Sequence, residues 1–143
     1  MTEIHAGAAR ERLAGARVAR LATADAAGRP HLVPITFAVL DATTIVSAID
    51  HKPKRTVALR RLANIVANPQ VSVLADHYAE DWTQLWWARA DGTARVVAAD
   101  QEVELRARAV AALRERYEPY GDQPPAGALI VVDVERWSGW RAA

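Results

Sequence analysis

Residues 19–41 read ARLATADAAGRPHLVPITFAVLD, two extended stretches on either side of the turn-forming AAGRP. Gly28 and Pro30 break the chain there, and β-branched residues populate the second stretch, so the pattern predicts a hairpin. In that second run Val33, Ile35, Phe37 and Val39 fall on one face, with Pro34 and Thr36 on the other. Pro34 has no N–H to donate, so its strand is expected at a sheet edge or at an irregularity. A hairpin this early points to antiparallel pairing and away from a βαβ winding.

Working outward, AGAARERLAGA (6–16) reads as a short helix ending near Gly15, and TTIVSAID (43–50) as a third strand. A helix follows, with Pro53 in its first turn, where the missing N–H costs nothing. Its expected apolar stripe is Ala58, Leu59, Leu62, Ile65 and Val66, and the Asn68-Pro69 step stops it. VSVLADHY is a fourth strand, and TQLWWARADGTARVVA a fifth, kinked at Asp91-Gly92. DQEVELRARAVAALRERY is a long helix, with Asp100 as expected N-cap and Val103, Ala107, Val110, Leu113 and Tyr117 on one side. EPYGDQPPAG is a loop, and ALIVVDVERWSGWR a closing strand. The expectation is one domain over residues 1–143: an α+β chain, mainly β with flanking helices, built on a six-or-so-stranded antiparallel barrel.

The 143 residues contain no cysteine, which excludes disulfides, thiolate metal sites and thiol catalysis. The four histidines are scattered without ligand spacing, so no metal is expected. At a formal charge of +1 the chain has no bulk field to hold nucleic acid, and no apolar run approaches membrane-spanning length. The N-terminus lacks a signal-peptide core, so a cytoplasmic protein is expected.

Both lysines of the chain, Lys52 and Lys54, sit in HKPKR (51–55), beside His51 and Arg55. A proline-started helix presents free N–H groups and the positive end of its dipole there, so these side chains are expected to make a phosphate or carboxylate site. Arg61, seven residues after Lys54 and about 20° away around the axis, can lean toward the same anion. The same charges equally suit the solvated face of an amphipathic helix. Five tryptophans against one phenylalanine are the second anomaly. Trp86 and Trp87, adjacent in a strand, must face opposite sides, so one can join the core while the other meets a ligand or partner. Trp137 and Trp140 lie near the chain end. No Ser-His-Asp or paired-carboxylate pattern stands out, so an enzyme of this sequence would rely on an organic cofactor.

Residues 16–98 carry a composite pattern: a strand with A-T, a G-x-P hairpin, a strand with V-P-I, a Lys/Arg-rich helix start, and N-P-x-V-S-V. That pattern resembles the split-barrel proteins related to pyridoxamine 5′-phosphate oxidase, within them the actinobacterial branch using the deazaflavin coenzyme F420. The resemblance implies a homodimer with the cofactor at the subunit interface and hydride transfer to a small conjugated substrate. It implies that Val33, Pro34, Ile35 and Thr36 line the ring, with Ser47, Ala48 and Ile49 beside it. Lys52, Lys54, Arg55 and Arg61 would hold the phosphate or acidic tail, and Trp86 or Trp87, with Trp137 and Trp140, would approach from the second subunit. F420 is the expected cofactor and FMN the alternative, since both join a tricyclic ring to a phosphate. The chain is much shorter than the oxidase and lacks its fuller set of substrate-phosphate residues, which argues against vitamin B6 oxidation. A non-catalytic F420 carrier is the other reading. Substrate choice would lie in the loops at 76–84 and 118–127.

Overall fold

The computed structural model describes residues 2–49 and 55–142, with the side chains of 55–59 excepted. The elements run β1 (Thr2–Glu3), α1 (Ala6–Gly15), β2 (Ala19–Ala24), β3 (Pro30–Ile35), β4 (Ala38–Asp41) and β5 (Thr44–Ala48). There follow α2 (Arg55–Ala67), β6 (Gln70–His77), a 3-10 turn (Trp82–Gln84), β7 (Trp86–Val97), α3 (Val103–Arg116), α4 (Pro119–Asp122) and β8 (Leu129–Arg141). Eight strands make one antiparallel sheet in the order β3-β2-β6-β7-β8-β5-β4, with β1 added to β8.

The run read as one strand over 30–41 is two. β3 and β4 lie at opposite ends of the strand order, yet only Thr36 and Phe37 separate them. Three Cα–Cα steps reach at most about 11 Å, so the sheet must curl until its first and last strands meet. The barrel is therefore closed covalently at a seam between β3 and β4 and not by a ladder of hydrogen bonds. This is a split barrel, and Pro34 lies on its edge strand as its missing N–H requires.

Side chains sort by strand alternation onto two faces. The inner face packs Leu21, Ile35, Phe37, Ile45, Val73, Ile130 and Val132 with Ala9 and Leu13 of α1 and Ile65 of α2. The outer face packs Ala38, Val46, Ala48, Val97, Leu129 and Val131 against Ala109 and Leu113 of α3. The expected kink is a bulge: Asp91 pairs with Arg136 and Gly92 with Val134, leaving Glu135 as the extra residue of β8.

Three helix details differ from expectation. In α2, Asn64 and Ile65 are buried and Arg61 and Leu62 half-buried, while Val66 is 79% exposed. The inward arc is centred roughly 120° from Val66. It is rotated because Asn64 donates to the buried Thr23 hydroxyl at 3.1 Å, so a paired amide takes a core position that an apolar pattern cannot reveal. In α3, Val103 and Ala107 are exposed, and the inward residues are Leu105, Ala109, Ala112 and Leu113. Two alanines let that helix approach the barrel closely. Asp100 does not cap α3. Glu102 precedes it, with a left-handed φ of 43° and no capping bond. Its carboxylate instead grips Arg95 at 2.8 and 3.0 Å. The 118–127 loop also contains the one-turn α4. The expected helix start at Pro53 lies outside the described residues.

Candidate functional site at the seam and the uncovered outer face

The seam is held by side chains from distant elements. Ser47 donates to the Thr36 carbonyl at 2.7 Å, and the Thr36 hydroxyl meets that of Tyr120 at 2.8 Å. The Phe37 amide donates to the Tyr117 hydroxyl at 3.1 Å, and that hydroxyl lies 2.9 Å from the Arg17 carbonyl. The end of α3 and the start of α4 thus clamp the β3–β4 corner. Replacing Tyr120 by Phe removes one partner of a half-buried hydroxyl and is expected to cost about 1 kcal/mol in a denaturant titration.

The side chains expected to line a ring divide at this corner. Ile35, Ser47 and Ala48 are buried within the chain, and Val33 and Ile49 pack against the inner core. Pro34 is exposed on the outer face. Cross-strand register extends that face: Pro34 pairs with Arg20, Arg20 with Leu74, and Leu74 with Arg89. The adjacent row carries Asp76, Trp87 and Trp140. Directly paired residues point the same way, so Pro34 shares a face with Trp87, three strands or roughly 14 Å away. α3 covers the other half of the outer face. This half has no cover among the described residues.

Trp87 and Trp140, with Leu74, Leu85, Tyr78 and Trp82, line a largely apolar cleft of about 570 Å³. Tyr78 and Trp82, both in the 76–84 segment, are 72% and 66% exposed, and Leu32 on the same sheet face is 66% exposed. The exposed aromatic side chains of Tyr78 and Trp82 beside one cleft mark a binding surface. The rim is polar: Arg20 pairs with Asp76 at 3.2 Å, and Arg89 pairs with Asp91 at 3.0 Å while lying over the Trp87 ring.

Of the other two tryptophans, Trp137 faces inward, and Trp86 does so while also contributing, with His77, to the lining of the cleft. Trp86 packs against the core, stacks with His77 and carries Arg12 over its ring. Trp137 packs likewise, and its Nε1 donates to the Ala42 carbonyl at 2.7 Å. The adjacent Trp86 and Trp87 thus divide between core and outer face, as strand alternation requires. Trp137 and Trp140 divide in the same way.

Arg61 lies on the α2 side of the barrel, close enough to His31 to lower its pKa, and apart from the aromatic cleft. It is half-buried, its Nε has no partner, and burial pulls its pKa below the ordinary guanidinium value. Lys52 and Lys54 lie outside the described residues, as does the side chain of Arg55. Sequence reasoning missed Tyr78 and Trp82 as individual site residues. The run DHYAEDW has no strand or helix period, and only the folded loop brings its aromatics to Trp87.

A flat, apolar ring suits this cleft: aromatic side chains line it, and Arg20 and Arg89 stand at its rim. Among the described residues no group of three His, Asp or Glu is placed to hold a metal, and no helix is long and apolar enough to cross a membrane.

Known proteins share this architecture. An FAD-binding protein from Mesorhizobium loti superposes with a TM-score of 0.74 at 23% identity, over 99% of this chain and 98% of that one. The FAD-binding protein from Mycobacterium smegmatis gives 0.64 at 21%, over 99% and 98%. The heme storage protein HutZ from Vibrio cholerae gives 0.68 at 23%, over 96% and 95%. At such identities the likeness establishes the fold. No curated protein matches the sequence. The family model described as pyridoxamine 5′-phosphate oxidase, however, matches residues 6–141, nearly the whole chain. The chain belongs to the pyridoxamine 5′-phosphate oxidase family of split-barrel proteins.

Proposed function

We propose that this protein is an F420-dependent oxidoreductase that passes a hydride between the deazaflavin and a small conjugated substrate. The observation that carries the reading is the uncovered outer face. It offers a ring-sized aromatic cleft on the same sheet face as Pro34, and among the described residues no catalytic triad or carboxylate pair stands in that cleft. Such a face can bind and orient a ring but leaves the chemistry to it. The bound ring supplies the hydride chemistry. The chain's part is to hold ring and substrate face to face and to exclude water with Trp82, Trp87 and Trp140.

The exposed apolar surface also supports a homodimer closing over the cofactor, since an aromatic centre with a rim of Arg and Asp is the usual make-up of a subunit contact. The basic residues Lys52, Lys54 and Arg55 favour a cofactor with more than one acidic group, hence F420 over FMN. The FAD-binding proteins that share the fold support a flavin as the alternative.

A non-catalytic carrier is the second reading. It is favoured by the heme storage protein built on the same barrel. Turnover separates the two. Reduced F420 with a panel of conjugated enones and quinones should be oxidised by the protein, and Lys54→Ala should weaken F420 binding. F420 binding without oxidation by any acceptor would leave a carrier.

A further inference from the structure

Among the described residues, one stretch of β8 has a strand neighbour on one side only. β5 pairs with β8 as far as Asp133, with one further bond from the Val134 amide to the Thr43 carbonyl. β1 takes up the same side at Trp140 and Arg141, and the Ile4 amide reaches the Gly139 carbonyl at 3.1 Å. There the chain turns away into α1, where His5 caps the helix by accepting the Ala8 amide at Nδ1, 3.2 Å away. The divergence opens a notch of about 380 Å³ beside residues 136–138, enough for a small molecule. Glu3, Ile4, His5, Arg136, Trp137 and Ser138 line it, and none of them lines the aromatic cleft.

We propose that this notch binds a small zwitterion, an ammonium and a carboxylate on a short apolar skeleton, such as a free α-amino acid. Two observations carry this. Glu3 and Arg136 are opposite charges lining one notch, yet neither has an ion-pair partner among the described residues. In register Glu3 stands beside Trp140, four residues or roughly 14 Å along β8 from Arg136. The two side chains leave a gap that a ligand with both charges fills, whereas a simple anion or cation would leave one of them unpaired. In addition, Ser138, between them on the same sheet face, is 9% exposed, and its Oγ is buried with no hydrogen-bond partner. Folded proteins rarely leave such a group. A solvated surface accounts for Glu3 and Arg136 but not for an unpaired hydroxyl between them.

The notch also has a direction. Arg136, the start of α1 at Ala6 and the Ser138 hydroxyl supply positive potential and donors for the carboxylate. With Nδ1 accepting from Ala8, the neutral His5 ring carries its proton on Nε2, a further donor. Glu3 is the acid of the lining and takes the ammonium. Ile4 and Trp137 offer the skeleton an apolar wall. Both pack against the inner core, and Trp137 is tied by its Nε1 to the Ala42 carbonyl, so that wall is fixed. The site goes beyond the oxidoreductase reading and does not rest on it.

The test uses the full chain and three probes on one skeleton: L-leucine, isocaproate, which lacks the ammonium, and isoamylamine, which lacks the carboxylate. NMR signals of the His5 ring and the Trp137 indole N–H report occupancy. Leucine should shift them saturably and bind about tenfold more tightly than either single-charge probe at equal ionic strength. Glu3→Gln should reduce leucine to the level of isocaproate, and Arg136→Ala should reduce it to that of isoamylamine. Both positions are exposed, so the fold should tolerate the changes. Ser138→Ala should weaken leucine binding while leaving the thermal midpoint unchanged or higher, since it removes an unpaired hydroxyl. A loss of stability with binding intact would instead mark a structural serine and overturn its role. Arg114→Ala, a cation on α3, should change nothing. Leucine binding no tighter than that of the single-charge probes, or indifferent to Glu3→Gln and Arg136→Ala, overturns the site. No cofactor enters these titrations, so their failure leaves the oxidoreductase reading untouched, and failure of F420 binding leaves this site standing.

Discussion

Gly92→Ala is expected to destabilise the fold by on the order of 3 kcal/mol, although it adds a single methyl group. A Cβ at Gly92 would sit 2.1 Å from the Asp133 carbonyl oxygen and 3.0 Å from Val134 Cα. Both are backbone atoms of the neighbouring strand, so no rotamer change relieves the overlap. The close approach follows from the bulge, where β8 carries Glu135 as an extra residue and presses its main chain onto β7. β7 and β8 form the longest ladder in the sheet, so disturbing it affects both faces at once. Gly15→Ala is the control. Nothing lies within 4 Å of its added carbon, and the residue is helical, so stability should be unchanged or slightly higher. Urea unfolding of the two variants measures the contrast.

The second large effect separates two adjacent tryptophans. Trp87→Ala is expected to weaken cofactor binding about tenfold or more, because stacking on an aromatic face contributes roughly 1–3 kcal/mol. Its thermal midpoint should stay near that of the parent chain, since Trp87 stands on the uncovered face. Trp86→Ala, although Trp86 also borders the cleft, should act chiefly on stability and weaken binding less than Trp87→Ala. It opens a gap against the core, strips the stacked partner from His77 and the platform from Arg12, and should cost about 2 kcal/mol of stability. Titration and melting of both variants, at a protein concentration where the parent's oligomeric state is maintained, give the comparison. Equal losses of affinity from both would remove the division between core and cleft.

Much of the barrel was legible because antiparallel strands advertise themselves. Gly28 and Pro30 marked the hairpin, the odd-numbered run Val33 to Val39 marked an inner face, and Asp91-Gly92 marked the bulge. Pro34 announced an edge strand before any pairing was known. The seam was harder. Nothing between Ile35 and Ala38 interrupts the apolar alternation, so the corner exists only because two edges of one sheet meet there and Tyr117 and Tyr120 hold them. Helix faces were read with less success, for a physical reason. Hydrophobic weight favoured Val66 and Val103, whereas the buried arcs use the paired amide of Asn64 and the small side chains of Ala109 and Ala112. The candidate site was visible in part. Trp87 and Trp140 follow from alternation, but Tyr78 and Trp82 join them only through tertiary placement. The position of Arg61 beside His31 likewise depends on how α2 is rotated against the sheet, and an apolar stripe centred one residue away could not give it.

Parallel titration of the protein with F420 and with FMN tests most directly whether a ring binds at the outer face with its acidic end met by basic residues. The predicted result is saturable F420 binding, accompanied by quenching of tryptophan fluorescence that is lost in Trp87→Ala, with FMN binding far more weakly. Tight FMN binding with no F420 binding would contradict it and make this chain a flavoprotein.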